Sequence, residues 1–325
     1  MQTWQKLLII AALATIIVVA GTFTYFQYFA KRRLIISTTT SLYDTGLLDE
    51  IEKNYEATHS VDINIISAGT GIAIQHAQNG DADVILVHSP SMEKTFLEQG
   101  YGVNRKIIAY NFFAIVGPED DPAQIRDTSP LEALVKIAEK GRNGTDKLWV
   151  SRGDNSGTHS KEKSLWTAAG FNLTTLTKES WYVSAGSGMG ETLKKADYFG
   201  AYTLADMGTY LKYKKDGLIA SVVLVEEDED LLNVYSAIAV NQTLHPNVNF
   251  NGATTFMKYL LSDEGQQIIE AFGKDEYGQS LFYPAVRLLK ENTNPTIADM
   301  ISNYAFFNGS ECPAEYRKGY PELYG

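Results

Sequence analysis

Four short segments of this sequence combine serine, threonine and glycine immediately before a helical pattern. They occupy residues 37–41, 67–71, 151–158 and 184–190. The first N–H groups of a helix lack intrahelical partners and carry a partial positive charge, so they favour anions. Hydroxyl groups add further donors, and glycine lets the backbone approach a bound group closely. Together the four loops predict a site for a small anion.

Arg152 is the only basic residue within these four loops. Its guanidinium group can donate to two oxygen atoms at once and stays charged at physiological pH, which suits an oxyanion. Two simpler interpretations stay open: Arg152 lies on the surface or pairs with Asp154, and each loop is an ordinary helix cap. Four such loops in one chain favour the anion site over four unrelated caps.

Other chemistries lack their usual motifs. No GxxxxGK[ST] phosphate loop is present, residues 69–71 lack the third glycine of a dinucleotide motif, and residues 186–188 do not complete a GxSxG nucleophile elbow. The five histidines show no paired-ligand spacing. Cys312 is the only cysteine, so neither a disulfide within the chain nor a CxxC site can form. We therefore expect no enzyme, no cofactor and no metal site.

Each of the four loops follows a short apolar strand pattern. The strand patterns cover residues 34–36, 61–65, 148–150 and 181–183. In the first helix that follows, Asp44 is the predicted N-cap. One face of that helix holds Leu47, Leu48, Ile51 and Tyr55. Alternating strands and helices predict an α/β fold with largely parallel sheets, which bind ligands at the carboxyl ends of their strands.

Two longer apolar runs divide the chain. Residues 107–116 end at Gly117-Pro118, and residues 231–240 form a similar run later. We interpret the first run as a crossover into a second lobe and the second run as the return. Lobe I is then residues 34–116 and 232–325, with the first two loops. Lobe II is residues 117–231, with the last two, so an anion between the lobes would meet donors from both.

The first 33 residues predict a membrane anchor. Residues 7–29 contain no charge, and as a helix they would span about 34 Å, enough to cross a hydrocarbon core. The run ends in four aromatic residues between positions 25 and 29, and Lys31-Arg32-Arg33 follow, as at a membrane interface. The alternative is a cleaved signal peptide, with a cleavage site at residues 18–20. The positive-inside rule places Lys31-Arg32-Arg33 in the cytoplasm, whereas an extracytoplasmic site requires the opposite orientation.

The rest of the chain is acidic. Four of the 28 basic residues lie in the first 33 positions, where there is no acid, so 24 basic and 39 acidic side chains remain. The resulting net charge of −15 argues against binding nucleic acid or an anionic membrane surface. Salt screens charges beyond roughly 10 Å, so a site built from local donors remains compatible with an anion.

Residues 37–41 (STTTS) and 44–48 (DTGLL) resemble the TTTS signature of the tungstate-binding proteins of ABC transporters. The segments 67–71, 79–84, 151–158 and 200–206 extend the resemblance across most of residues 34–290. It implies a type II periplasmic-binding-protein fold whose two lobes close on the anion. It also implies tungstate or molybdate as the ligand, and an ABC permease with its ATPase subunit as partners. The binding domain is then extracytoplasmic and anchored to the cell membrane; we expect a monomer.

The resemblance also points to individual residues. Arg152 and the segment 156–158 match phosphate-binding relatives, and Ser41 and Thr70 match serine positions of molybdate-binding relatives. The predicted anion ligands are Thr39, Thr40, Ser41, Ser67, Gly69, Thr70, Arg152, Ser156, Gly157 and Thr158. A second group is His88, Ser184 and Ser187. Since His88 stands where phosphate binders carry a proton-accepting aspartate, we expect unprotonated dianions to bind better than phosphate.

These expectations describe a solute-binding protein that captures tungstate, or molybdate, for import and performs no chemistry. The alternatives are a phosphate- or sulfate-binding protein and a membrane-anchored oxyanion sensor or enzyme on the same fold. Tungstate and molybdate have the same charge and nearly the same size, so only the family resemblance favours tungstate.

Overall fold

Strands and helices alternate in this computed structural model, which describes residues 4, 15, 32–144, 146–226 and 228–324. The strands are β1 Arg32–Thr39, β2 Val61–Ala68, β3 Val84–Val87, β4 Gly102–Gly117, β5 Trp149–Ser151, β6 Tyr182–Ser184, β7 Thr203–Asp206, β8 Val222–Val225, β9 Leu232–Val240 and β10 Tyr283–Pro284. The helices of the first half are α1 Thr40–Asp44, α2 Leu47–Thr58, α3 Thr70–Asn79, α4 Pro90–Glu98, α5 Pro130–Arg142 and α6 Gly157–Ala168. The later helices are α7 Leu173–Leu176, α8 Met189–Phe199, α9 Met207–Lys215, α10 Phe250–Leu261, α11 Asp263–Ala271, α12 Lys274–Tyr277, α13 Val286–Glu291 and α14 Pro295–Ala305.

The long strand β4 belongs to both parts of one mixed sheet. Six strands follow the order β10-β4-β9-β3-β1-β2, and β7 and β8 pair with the end of β4. Residues 102–112 of β4 pair with β9, whereas Phe113–Gly117 pair with β7 and β8. The predicted α/β class is confirmed. The sheet is less parallel than expected, because β4 and β9 carry the chain across and back and therefore pair antiparallel with their neighbours.

The strands that precede the four loops lie side by side in pairs. β1 runs parallel to both β2 and β3, with Thr38 opposite Ser67 and Leu86. β5 and β6 form a separate parallel pair, with Ser151 opposite Ser184. Because parallel strands end at the same edge, the first loop lies beside the second and the third beside the fourth.

Separate apolar cores pack on the two parts of the sheet. One core is built on β1, β3 and β9 and on helices α2 and α10, with Leu34, Ile36 and Phe256 at most 1% exposed. Another is built from residues 113–231 and contains Trp149, Trp166 and Trp181. Burying an aromatic side chain of this size contributes several kcal/mol, roughly 25 cal/mol per Å² of apolar surface. Each core therefore holds the strand ends beneath its own pair of loops.

The first loop differs from the predicted pattern. Asp44 is not an N-cap; it ends the short helix α1, which Thr39 caps by accepting a hydrogen bond from the N–H of Leu42. The helix that carries Leu47 and Leu48 starts after Gly46, whose φ of 88° is a left-handed conformation that favours glycine. The first helical turn after β1 therefore begins at Thr40, capped by the Thr39 hydroxyl, which is earlier than an N-cap at Asp44 would place it.

The predicted membrane anchor, residues 1–33, lies outside the described residues except for Trp4, Thr15, Arg32 and Arg33. None of the helices in the described part of the chain combines the length and the apolar composition that crossing a membrane requires.

Candidate anion-binding site

Arg152 follows β5 and is only 1% exposed. Its Nε and Nη2 donate to Asp154 Oδ2 at 3.1 and 2.6 Å, and its Nη1 lies 3.5 Å from Thr158 Oγ1. Nη2 also donates to Thr40 Oγ1 at 3.2 Å. From the sequence, an ion pair between Arg152 and Asp154 was an alternative to a place among the anion-binding loops. In the structure Arg152 pairs with Asp154 and also contacts the first loop. A buried guanidinium held by three partners keeps its orientation.

The first loop brings three hydroxyl groups to this cluster. Thr40 Oγ1 contacts Arg152, and Ser41 Oγ lies 3.3 Å from Thr39 Oγ1. Thr39 and Ser41 are 1% and 2% exposed. The start of the first loop is fixed to the sheet, because Thr38 Oγ1 donates to the carbonyl of Leu86 on β3.

The second loop contributes an unpaired hydroxyl. Thr70 opens α3 and is fully buried, and its Oγ1 has no hydrogen-bond partner among the described residues. Such a group costs about 1–3 kcal/mol unless a ligand or water satisfies it. Gly69, the N-cap of α3, lies beside the third loop, and a Cβ there would be in ordinary van der Waals contact with Ser156 Cα at 3.8 Å. Ser67, in contrast, is exposed.

The third loop starts α6. Ser156 caps the helix by accepting from the N–H of His159, and Thr158 is fully buried beside Arg152. Gly157 lies against His88: a Cβ at this position would be 2.8 Å from the imidazole ring. The absence of a side chain at residue 157 therefore allows the start of α6 to reach the first two loops.

The fourth loop lies behind the third instead of joining the cluster. The N–H groups of Ala185 and Gly186 donate to the carbonyls of Ser151 and Arg152, both at 2.8 Å. Ser187 N–H donates to the Arg152 carbonyl at 3.3 Å, and Ser184 is exposed. Ser184 and Ser187 therefore support the backbone at Arg152, and the structure does not bring their hydroxyl groups to the other predicted ligands.

His88 joins the first loop to the strands beneath it. Its Nε2 lies 3.2 Å from Ser41 Oγ, and its Nδ1 lies 2.8 Å from Asn233 Oδ1 on β9. The ring is 2% exposed and stacks on Tyr235 at 4.9 Å. Burial, and then the nearby charge of Arg152, lower the pKa of His88 to about 4, against a partial opposing effect of the Asn233 hydrogen bond. His88 is therefore neutral at physiological pH in this structure.

Two buried carboxyl groups near Arg152 were not identified from the sequence. Glu162 on α6 accepts from Trp149 Nε1, Ser151 Oγ and Tyr182 OH at 2.6 to 2.9 Å, which joins α6 to β5 and β6. Asp206 caps α9 through Thr209. Burial raises the pKa of both groups. The local sequence does not indicate that either is buried, because an acidic residue in a helix or at the end of a strand usually lies on the surface.

The cluster offers hydrogen-bond donors and one permanent positive charge to a small group. Arg152, the hydroxyls of Thr40, Thr70 and Thr158, and the start of α6 can donate to an anion. The described residues contain no group of three or more His, Cys, Asp or Glu side chains placed to hold a metal ion.

The sequence matches the family model of the PBP superfamily domain over residues 20–264. It is 42% identical over 259 residues to the tungstate-binding protein TupA of Peptoclostridium acidaminophilum, which covers 78% of this chain and 86% of that protein. The structure resembles TupA from Desulfovibrio alaskensis G20 with a TM-score of 0.67 and 40% identity, over 78% of this chain and 98% of that one. The tungstate ABC transporter structure from Geobacter sulfurreducens gives a TM-score of 0.65 and 41% identity, over 73% of this chain and 97% of that one. The chain therefore belongs to the PBP superfamily, with the type II periplasmic-binding-protein fold, and within it to the TupA family.

Proposed function

We propose that this protein binds tungstate outside the cytoplasm and delivers it to an ABC importer. The observation that carries the proposal is the buried contact between Arg152 and Thr40, which joins the third loop to the first beside the start of α6. A tetrahedral dianion suits this cluster because it accepts hydrogen bonds on every side. The relatives named as tungstate-binding proteins support tungstate over other oxyanions.

The unpaired hydroxyl of Thr70 supports a ligand at this position. A buried donor without a partner is costly, and an anion oxygen would satisfy it. We propose Thr39, Thr40, Ser41, Gly69, Thr70, Arg152, Ser156, Gly157 and Thr158 as the residues around the anion. Ser67 is exposed at the end of β2, so we assign it to the rim.

The ligand reaches the site by separation of two lobes. The proposed lobe I is residues 34–116 and 232–325, and lobe II is residues 117–231. Contacts between them include Arg152 with Thr40, and Lys212 Nζ with the carbonyl of Asp44 at 3.1 Å. Because Arg152 and Thr70 are at most 1% exposed, the anion cannot enter this arrangement, and opening must precede binding.

We propose that residues 1–33 anchor the protein to the outer face of the cell membrane, where it meets the permease and its ATPase subunit as a monomer. The uncharged stretch 7–29 supports this proposal. A cleaved signal peptide would leave the same domain outside the cytoplasm without an anchor.

Calorimetric titration of the purified protein with tungstate, molybdate, sulfate and phosphate tests the function. We expect tungstate to bind, with molybdate as the nearest competitor. The Arg152→Ala protein in the same titration separates this site from binding elsewhere. Absence of tungstate binding by folded wild-type protein would overturn the proposal, and hydrolysis of phosphate or sulfate esters would indicate an enzyme instead.

A further inference from the structure

Two asparagines connect His88 to a backbone carbonyl that can only accept hydrogen bonds. Asn111 Nδ2 donates to the carbonyl of Leu281 at 3.1 Å, so its Oδ1 faces Asn233 and accepts from Asn233 Nδ2 at 2.9 Å. Asn233 Oδ1 then faces His88 Nδ1 at 2.8 Å. His88 must therefore carry a hydrogen on Nδ1, because an amide oxygen cannot donate.

This arrangement determines what Ser41 offers to the site. Neutral His88 presents the lone pair of Nε2 to Ser41 Oγ at 3.2 Å, so Ser41 gives its single hydrogen to the ring. Its oxygen then faces its surroundings with lone pairs, one of which can accept from Thr39 at 3.3 Å. In this state Ser41 suits an anion that carries a proton and repels a fully deprotonated one, which is the reverse of the preference expected for His88 from the sequence.

The groups packed around His88 favour its neutral form when no anion is near. Arg152 and the positive end of α6, at Gly157, lie on one side. Tyr235 and Phe113 cover the ring from β9 and β4. The acids of the neighbouring elements already have partners: Asp154 pairs with Arg152 at 2.6 Å, Asp206 caps α9, and Glu93 of α4 pairs with Arg105 at 2.8 Å. A dianion beside Ser41 would reverse this balance, since an opposite charge raises the pKa of a histidine.

We propose that His88 takes up one proton when a fully deprotonated tetrahedral dianion binds, and that this proton reverses the hydrogen bond between His88 and Ser41. The proton moves from the buffer to Nε2, Nε2–H donates to Ser41 Oγ, and the Ser41 hydrogen turns to an oxygen of the anion. Hydrogen phosphate brings this proton itself, donates it to Ser41 and leaves His88 neutral. The inference rests on the proposed anion site. It makes His88 a specificity-determining residue that reads the protonation state of the ligand.

Calorimetry of the whole protein in two buffers of different ionisation enthalpy measures the protons taken up. We expect the number of protons taken up per bound tungstate to approach one as the pH falls from 8 to 6. Over the same range the tungstate affinity should rise by up to about tenfold per pH unit. The affinity rises at lower pH because the complex holds more protons than the free protein and the free anion together. Phosphate at pH 8, where it is the monoprotonated dianion, should bind with no uptake.

His88→Gln removes the titrating ring, and it should bind tungstate with affinity that no longer depends on pH between 8 and 6. The matched control is His76→Gln, which alters another histidine–serine pair, His76 Nδ1 with Ser37 Oγ at 3.0 Å. It should keep the proton uptake. Nitrogen-15 NMR of wild-type protein provides a second readout: His88 should change from the Nδ1–H tautomer to the imidazolium when tungstate is added at pH 6.

Tungstate binding without proton uptake at pH 6, with His88 still neutral by NMR, would overturn the inference and leave the proposed function intact. The failure of tungstate to bind at any pH would instead reject the proposed function. Uptake that persists in His88→Gln would place the proton on another group and also overturn the inference.

Discussion

Arg152 Nη2 donates a hydrogen bond to Thr40 Oγ1 at 3.2 Å, although 112 residues separate the two. Thr40 lies after β1 and Arg152 after β5, so the contact connects loops that stand on different apolar cores. A side chain that bridges two cores within the proposed anion site is well placed to couple binding to the proposed closure.

Arg152→Ala should weaken tungstate binding by about 3–5 kcal/mol, more than hundredfold, because an enclosed anion loses its charged partner. Asp154, which is only 19% exposed, would also lose its counter-ion and would repel the ligand. Arg152→Lys keeps the charge but cannot donate to two oxygens in the same plane. Its tungstate affinity should therefore lie between those of the wild type and Arg152→Ala. Calorimetry measures the affinities, and circular dichroism checks the fold. A folded Arg152→Ala protein that binds within threefold of the wild type would place the anion elsewhere.

Thr70→Val should change stability and affinity in opposite directions. Without ligand, the variant loses an unsatisfied buried hydroxyl, so the free energy of unfolding should rise by about 1 kcal/mol. Tungstate affinity should fall by roughly tenfold, because one donor to the anion is lost. Denaturant titration and calorimetry measure the two quantities.

Thr254→Val is the matched control for Thr70. Thr254 is equally buried, but its hydroxyl donates to the carbonyl of Phe250 at 2.7 Å. Its replacement should lower stability by about 1 kcal/mol and leave tungstate affinity unchanged. Equal loss of stability in both variants would show that the Thr70 hydroxyl has a partner in the free protein.

Gly157→Ala should weaken tungstate binding by about tenfold or more, because its Cβ would meet the imidazole of His88 at 2.8 Å. The ring is held by Asn233 and Tyr235, so the start of α6 must move away from the first loop. Gly188→Ala is the control: Gly188 precedes α8 with a φ of −63°, and a Cβ there meets nothing within 4 Å. Equal affinity of the two variants would mean that α6 does not need this close approach.

The stability of the ligand-free protein should depend on His88. Its pKa falls from 6.5 to about 4 on folding, so the unfolded chain binds more protons between these values. Stability is therefore fully present above pH 6.5 and is lost as the pH falls towards 4. Wild-type protein should lose about 2 kcal/mol more than His88→Gln between pH 7 and pH 5, measured by denaturant titration without anion. Parallel losses in both proteins would contradict a buried neutral His88.

The N-terminal segment should hold the full chain in the membrane fraction, because residues 7–29 carry no charge. A truncated protein that starts at Leu34 should be soluble and bind tungstate equally well, since the proposed site residues begin at Thr39, at the far end of β1. N-terminal sequencing of the protein from cells decides between the alternatives: a mature terminus at Gly21 would indicate a cleaved signal peptide.

The sequence allowed the strands and loops of the site to be predicted because local patterns specify them. The apolar alternation at Val61, Ile63 and Ile65 predicted β2, and the hydroxyl-rich runs marked the starts of α3 and α6. The fourth loop has the same composition but different neighbours. Its N–H groups bond to the third loop, and no local pattern distinguishes such a supporting loop from a ligand-binding one.

The environment of His88 could not be predicted, because it depends on strand register. His88 meets Ser41 across 47 residues and Asn233 across 145. Asn111 stands opposite Asn233 only because β4 and β9 pair with that register. Glu162 was missed for a related reason: its burial results from packing of α6 on β5 and β6, which its helical sequence does not reveal.

The continuity of β4 limits how modular this protein can be. Its 16 residues begin beside β9 and end between β7 and β8. If the chain were divided so that β4 stayed with β7 and β8, β9 would lose its neighbour. If β4 stayed with β9, β7 and β8 would lose the strand with which both pair. Neither half is therefore a unit that recombination could transfer alone, and variation in ligand choice has to arise within the loops of an undivided protein.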